Sequence, residues 1–130
     1  MKAYKHITQN IWPVSWLACL FLVAFAALMP TNSPPPGSAW QLDKIVHLLF
    51  FAVLTIIPLV AFTNRKLVFF CIGIIPIFGF TLEYMQKNIS GREFSPEDMI
   101  ANNAGIVLGI VCGIVFRMKK RFRRQKGTQS

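Results

Sequence analysis

The sequence predicts an all-α integral membrane protein, a four-helix bundle, and three observations carry that expectation. Hydrophobic residues make up 54% of the 130 positions and charged residues 15%, whereas about a quarter of a typical soluble domain is charged. The apolar residues arrive in four long blocks, neither alternating nor confined to one helical face. Pro58 and Pro76 lie inside such blocks; a membrane helix tolerates proline because neighbouring helices re-satisfy the backbone groups it frees. The expected organisation is one membrane domain over residues 1–116 and a basic tail over 117–130, with no separate soluble domain.

A helix needs about 20 apolar residues to cross a hydrocarbon layer of roughly 30 Å. The first such block covers residues 11–29, after Lys2 and Lys5. Ala24-Phe25-Ala26 resembles a signal-peptide cleavage site, but the block continues through Met29, longer than the usual core of a signal peptide, so an uncleaved helix is expected. Residues 30–44 include Pro34, Pro35, Pro36 and Gly37 and read as an extended surface loop. The second and third helices are expected at 45–63 and 67–84, joined into an antiparallel hairpin by the turn Asn64-Arg65-Lys66. A loop over 85–98 then leads into the fourth, at 99–116. There is no internal repeat.

A net charge of +9 raises the question of nucleic acid, and its distribution argues against it. Seven of the fourteen Lys and Arg residues fall in the last fourteen positions, directly after an apolar block. Such a cluster marks the cytoplasmic side of a membrane and meets anionic lipid. The N-terminus, the short turn and the tail together carry eleven cations, while the other side carries three, Lys44, Lys87 and Arg92. The positive-inside rule therefore places both termini in the cytoplasm. All five acidic residues, Asp43, Glu83, Glu93, Glu97 and Asp98, share the opposite, outer side. Cys19, Cys71 and Cys112 each lie in an apolar block without metal-ligand spacing, as small hydrophobes do.

The polar residues at the ends of these blocks are the candidates for function. Asp43, Lys44 and His47 open the second helix. Helix capping would account for Asp43 and snorkelling for Lys44. His47 lies about one turn inside the apolar block, where an ionisable group is costly and turns toward the bundle interior or a cavity. Glu83 and Gln86 close the third helix. A carboxylate in the last turn has the wrong sign for the helix dipole, so Glu83 is expected to be protonated or paired with a cation: Arg92 first, for its bidentate geometry, then Lys44 or Lys87. That pair reads equally as a brace for the loop and as part of a ligand site. Ser95, Pro96 and Asp98 form a helix start, with Ser95 as the cap; capping alone explains Glu97 and accounts for Asp98 as well. Asn102 lies one turn below Asp98 on the same face, and no cap explains it. Asn103 is offset from that face and suits a bond between helices. Gly105, Gly109 and Gly113 form a ladder that lets another backbone approach closely, within the monomer or between subunits of a homo-oligomer.

Taken in order, Asp43-Lys44-x-x-His47, Glu83-x-x-Gln86, Arg92, Asp98-x-x-x-Asn102-x-x-Gly105 and Gly109 resemble the VanZ-like family of bacterial membrane proteins. The resemblance covers residues 43–109; the first helix and the tail match in character only. No single motif is specific, but the ordered set is. The family takes its name from a protein linked to low-level resistance to teicoplanin, a glycopeptide antibiotic, and resistance does not transfer to this chain through the fold alone. The resemblance implies a protein of the bacterial cytoplasmic (inner) membrane.

Three helices thus bring a cation, an imidazole, carboxylates and amides to one outer depth. That mixture suits an anionic or hydroxyl-rich head group: an envelope lipid, a lipid-linked precursor or a glycopeptide-related ligand. A non-enzymatic binding protein is the first expectation. A small membrane enzyme with His47 as acid/base is the alternative, weakened because no activated Ser or Cys nucleophile is recognisable. Transport comes third, since four short helices enclose little unless they oligomerise. No cofactor is expected, and one histidine among carboxylates is a weak metal signal.

Overall fold

The computed structural model describes residues 2–29, 39–89 and 95–126. They form four helices: α1 (Lys2–Leu28), α2 (Ala39–Ala61), α3 (Arg65–Ile89) and α4 (Pro96–Lys126). Each contains a stretch long and apolar enough to cross a membrane. The protein is a four-helix membrane bundle.

The helices outrun the apolar blocks that announce them. α1 starts near the N-terminus, α2 starts at Ala39, α3 continues to Ile89, and α4 runs through most of the basic tail. Hydropathy measures only the lipid-immersed part of a helix, whereas backbone hydrogen bonding propagates through Lys, Gln and Arg, which are good helix formers. α2 is the exception at its far end, stopping at Ala61, and the turn to α3 spans residues 62–64. Asn64 sets that position: its Oδ1 accepts from the Lys66 N–H at 3.0 Å and its carbonyl from the Val68 N–H at 3.1 Å. It is therefore the N-cap of α3. Ser95 caps α4 as the sequence predicts, its Oγ accepting from the Asp98 N–H at 3.2 Å, with Pro96 in the first position.

The closest pairing is α2 with α4. A Cβ added at Gly105 would lie 2.3 Å from the Leu48 carbonyl oxygen, and one at Gly109 2.6 Å from that of Ala52. At Gly113 it would lie 2.7 Å from the Leu59 side chain. The glycine ladder thus meets α2 of the same chain. Backbone contact of this kind supplies dispersion and weak Cα–H···O attraction where lipid removes any hydrophobic drive between helices. α3 packs on both α2 and α4, and α1 on α2 and α3. Phe51, Leu54 and Ile75 are fully enclosed between them, while Phe69 and Phe21, over 70% exposed, face outward as lipid-facing residues do.

Three side chains finish backbone bonds that the helices leave open. In an α-helix the Leu54 carbonyl would accept from residue 58, but Pro58 has no N–H. The Trp16 indole of α1 donates to that carbonyl at 2.9 Å. Gln86 Nε2 donates to the Ala27 carbonyl in the last turn of α1 at 2.8 Å, and Arg117 donates to the Leu59 carbonyl near the end of α2 at 3.2 Å. Each satisfies a carbonyl that its own helix leaves open, and each ties two helices together.

Candidate functional site

Alternating helix direction gathers the end of α1, the start of α2, the end of α3 and the start of α4 at one pole. Because α2 begins at Ala39, Asp43, Lys44 and His47 occupy its second and third turns. Asp43 is therefore not the cap, and the dipole accounts for little of its position. His47 is 9% exposed and faces α4, where its Nδ1 meets Asn102 Oδ1 at 3.0 Å. An amide oxygen only accepts, so Nδ1 carries the proton and donates. That bond fixes the ring and turns Nε2 toward Asp43, whose Oδ1 stands 3.9 Å away, beyond hydrogen-bond length. Asp98 comes from the first turn of α4, one helical turn before Asn102, and is buried. One donor atom from each of Asp43, His47 and Asp98 lies within 4.8 Å of the others.

The remaining polar residues surround this group. Lys44 Nζ is ion-paired with Glu97 Oε2, joining α2 to α4. This corrects one expectation: Glu97 pairs with Lys44 and so does more than take part in the helix start. Both side chains are partly exposed, so the pair contributes on the order of 1 kcal/mol or less. Glu83 is 2% exposed, and its Oε1 accepts the Ser95 N–H at 2.7 Å. The carboxylate of α3 thereby holds the residue that caps α4. Glu83 and Gln86 do not close α3, which continues to Ile89, and the Gln86 amide caps α1 as described. Arg92, the expected partner of Glu83, lies outside the described residues, and Lys87 is exposed.

Adjacent amides on α4 have opposite roles. Asn102 is buried against His47, while Asn103 is exposed and donates to the Met99 carbonyl of its own helix at 2.8 Å. Asn103 therefore makes no bond between helices there. Gly79, one turn before Glu83, went unremarked in the sequence. A Cβ there would stand 2.9 Å from the Phe51 ring, so its lack of a side chain lets Phe51 sit against α3, with Asn102 Nδ2 3.5 Å from the same point. Its place on the Glu83 face was the available signal.

The sequence model of the VanZ/LLP1 family matches residues 3–117. The chain belongs to the VanZ/LLP1 family. No curated protein and no solved structure matches it. The family match extends past the polar motifs in both directions, taking in the first helix and the start of the basic segment. As a VanZ/LLP1 member with four apolar helices, it is a multi-pass membrane protein. Within that frame the buried polar residues of α2, α3 and α4 bring donors, acceptors and one imidazole to a single pole. Such a set can hydrogen-bond a hydroxylated or phosphate-bearing group, hold a cation, or exchange a proton through His47.

Proposed function

We propose that this VanZ/LLP1 protein binds the head group of an envelope lipid, a lipid-linked precursor or a glycopeptide-related molecule at the outer face of the bacterial inner membrane. The observation that supports it is the buried bond between His47 and Asn102, flanked by Asp43 and Asp98. Polar side chains are buried at membrane depth only at a cost, and here two helices present theirs to one point. Asp43, Lys44, His47, Asp98 and Asn102 form the recognition set, to which the sequence adds Arg92, outside the described residues. Gln86 supports the wall by holding α1. The outward orientation rests on the charge count, eleven cations at one pole against three at the other.

Mass spectrometry of lipids co-purifying in mild detergent tests this directly. Wild-type protein should carry an enriched lipid or precursor that His47→Ala loses while its helical content and thermal unfolding stay close to wild type. Equal lipid content in both proteins removes the reading. The second reading is a small membrane enzyme in which His47 acts as acid/base. It is favoured by the tautomer, since a proton held on Nδ1 leaves Nε2 for proton exchange beside Asp43. His47→Gln separates the two: an enzyme loses turnover and keeps its ligand, whereas a binding protein keeps partial function.

A further inference from the structure

The basic pole of the bundle carries charge that the rest of the chain does not answer. At Gly113 α4 still meets Leu59 of α2, and Arg117 reaches the Leu59 carbonyl at 3.2 Å. α2 stops at Ala61, whereas α4 continues to Lys126. Arg117 is half-buried, and residues 118–123 are exposed throughout. On this projecting end Phe116, Lys119, Lys120 and Arg123 line an open groove. Their spacing, i, i+3, i+4 and i+7, sets them on one face of the helix.

The acidic residues lie elsewhere. Asp98, the last of them in the chain, precedes Lys119 by 21 positions, roughly 30 Å along α4. Asp43 and Glu83 sit near the ends of α2 and α3 that share the pole of Asp98. Among the described residues no acidic side chain therefore stands near Lys119, Lys120 or Arg123. Three cations facing one groove repel one another until an anion from outside enters it.

Depth decides which anion. Phe116 ends the apolar block of α4, so it stands at the edge of the hydrocarbon. At about 1.5 Å per residue, Lys119 lies roughly 5 Å beyond it and Arg123 roughly 10 Å. The polar layer on each side of a bilayer is about 5–8 Å deep, so the groove opens at the level of lipid phosphates. Exposed Phe116, Met118 and Phe122 interleave with the cations, which favours a lipid surface over a nucleic acid or an acidic protein in water.

We infer that the groove of Phe116, Lys119, Lys120 and Arg123 binds the phosphodiester head group of one anionic phospholipid from the leaflet at the basic pole. The three cations contact the phosphate, and Phe116 packs against the first carbons of the acyl chains. Arg117 is the positioning residue: its bond to α2 fixes where α4 leaves the bundle, and with it the depth of the groove. A basic tail attracts anionic membrane wherever its charges point, whereas a groove distinguishes one face of the helix from the other. Arg121 stands two positions before Arg123 and so nearly on the opposite side. The site is separate from the head-group site proposed beside His47 and does not require it.

Native mass spectrometry of full-length protein in mild detergent tests this, by titration with dioleoylphosphatidylglycerol and, in parallel, dioleoylphosphatidylcholine. One phosphatidylglycerol per chain should bind at least tenfold more tightly than phosphatidylcholine. Lys119→Gln and Arg123→Gln should each weaken it about fivefold, and Arg121→Gln less than twofold. All three positions are exposed, so helical content and melting temperature should match wild type. Equal losses from Arg121→Gln and Arg123→Gln would mean diffuse attraction and overturn the groove, as would equal affinity for the two lipids. A single-stranded oligonucleotide that displaces the phosphatidylglycerol would overturn the lipid assignment in favour of nucleic acid. His47→Ala should retain this phosphatidylglycerol, and Arg123→Gln should retain any lipid that His47→Ala loses, which keeps failure at one pole apart from failure at the other.

Discussion

At the scale of single residues, neighbouring positions with the same side chain carry different weight. Asn102 and Asn103 are indistinguishable by composition, yet one holds the buried His47 ring and the other bonds its own helix at the surface. Asn102→Leu leaves the buried His47 Nδ1 without its acceptor. The expected loss is about 1–2 kcal/mol, between the average for bonds inside membrane proteins and that for an orphaned buried donor. Asn103→Leu removes only an exposed bond and should change stability by about 0.5 kcal/mol or less. Thermal unfolding of both variants in the same detergent checks the contrast; equal shifts would mean that the His47 contact does not hold the helices.

At the scale of helices, backbone proximity decides which substitutions the bundle accepts. Gly105 and Gly109 look onto carbonyl oxygens of α2, which cannot move aside, whereas nothing lies within 4 Å of the position a Cβ would take at Gly73. Gly105→Ala and Gly109→Ala should each cost about 1–3 kcal/mol through overpacking. Gly73→Ala should be neutral or gain up to about 1 kcal/mol from helix propensity. Yield in membranes and melting temperature in detergent read the difference, and a harmless Gly105→Ala would show that α2 and α4 pack less tightly than described. The proline in α2 allows a sharper test. Trp16→Phe should cost about 1 kcal/mol by leaving the Leu54 carbonyl without a donor. Replacing Pro58 by Ala restores an N–H four residues on, so Trp16→Phe should cost measurably less in a Pro58→Ala background. A double-mutant cycle isolates that coupling from the cavity each change leaves; zero coupling would detach the indole from the proline.

At the scale of the whole molecule, charge and length fix how the bundle meets the bilayer. α4 has 31 residues, roughly 45 Å of helix against about 30 Å of hydrocarbon, so its basic end extends beyond the apolar layer. Arg117 marks the place where it leaves, tied to the end of α2 through the Leu59 carbonyl. With eleven cations at that pole, reporter fusions after Lys66 and Ser130 should register cytoplasm, and fusions after Pro36 and Gly91 the outer side. An external signal after Lys66 would invert the arrangement and turn the His47 site toward the cytoplasm.

The sequence by itself determined the fold class, the number of spans, the segregation of charge and the set of polar residues worth following. These are properties of local composition: twenty apolar residues cross a bilayer wherever they stand, and a charge keeps its sign in any fold. The Ser95 cap was legible for the same reason, since a cap and the N–H groups it satisfies lie within one turn. Only the tertiary structure decided the pairings, because each depends on which helix faces which. Lys44 with Glu97, His47 with Asn102, Trp16 with the carbonyl above Pro58 and Gln86 with the end of α1 all join residues 38 to 59 positions apart. The glycine ladder shows the boundary between the two. Its spacing announced a close approach, but both a second subunit and a helix of the same chain satisfy that spacing. The partner became α2 only when the folded bundle placed the Leu48 and Ala52 carbonyls where Gly105 and Gly109 have no side chain.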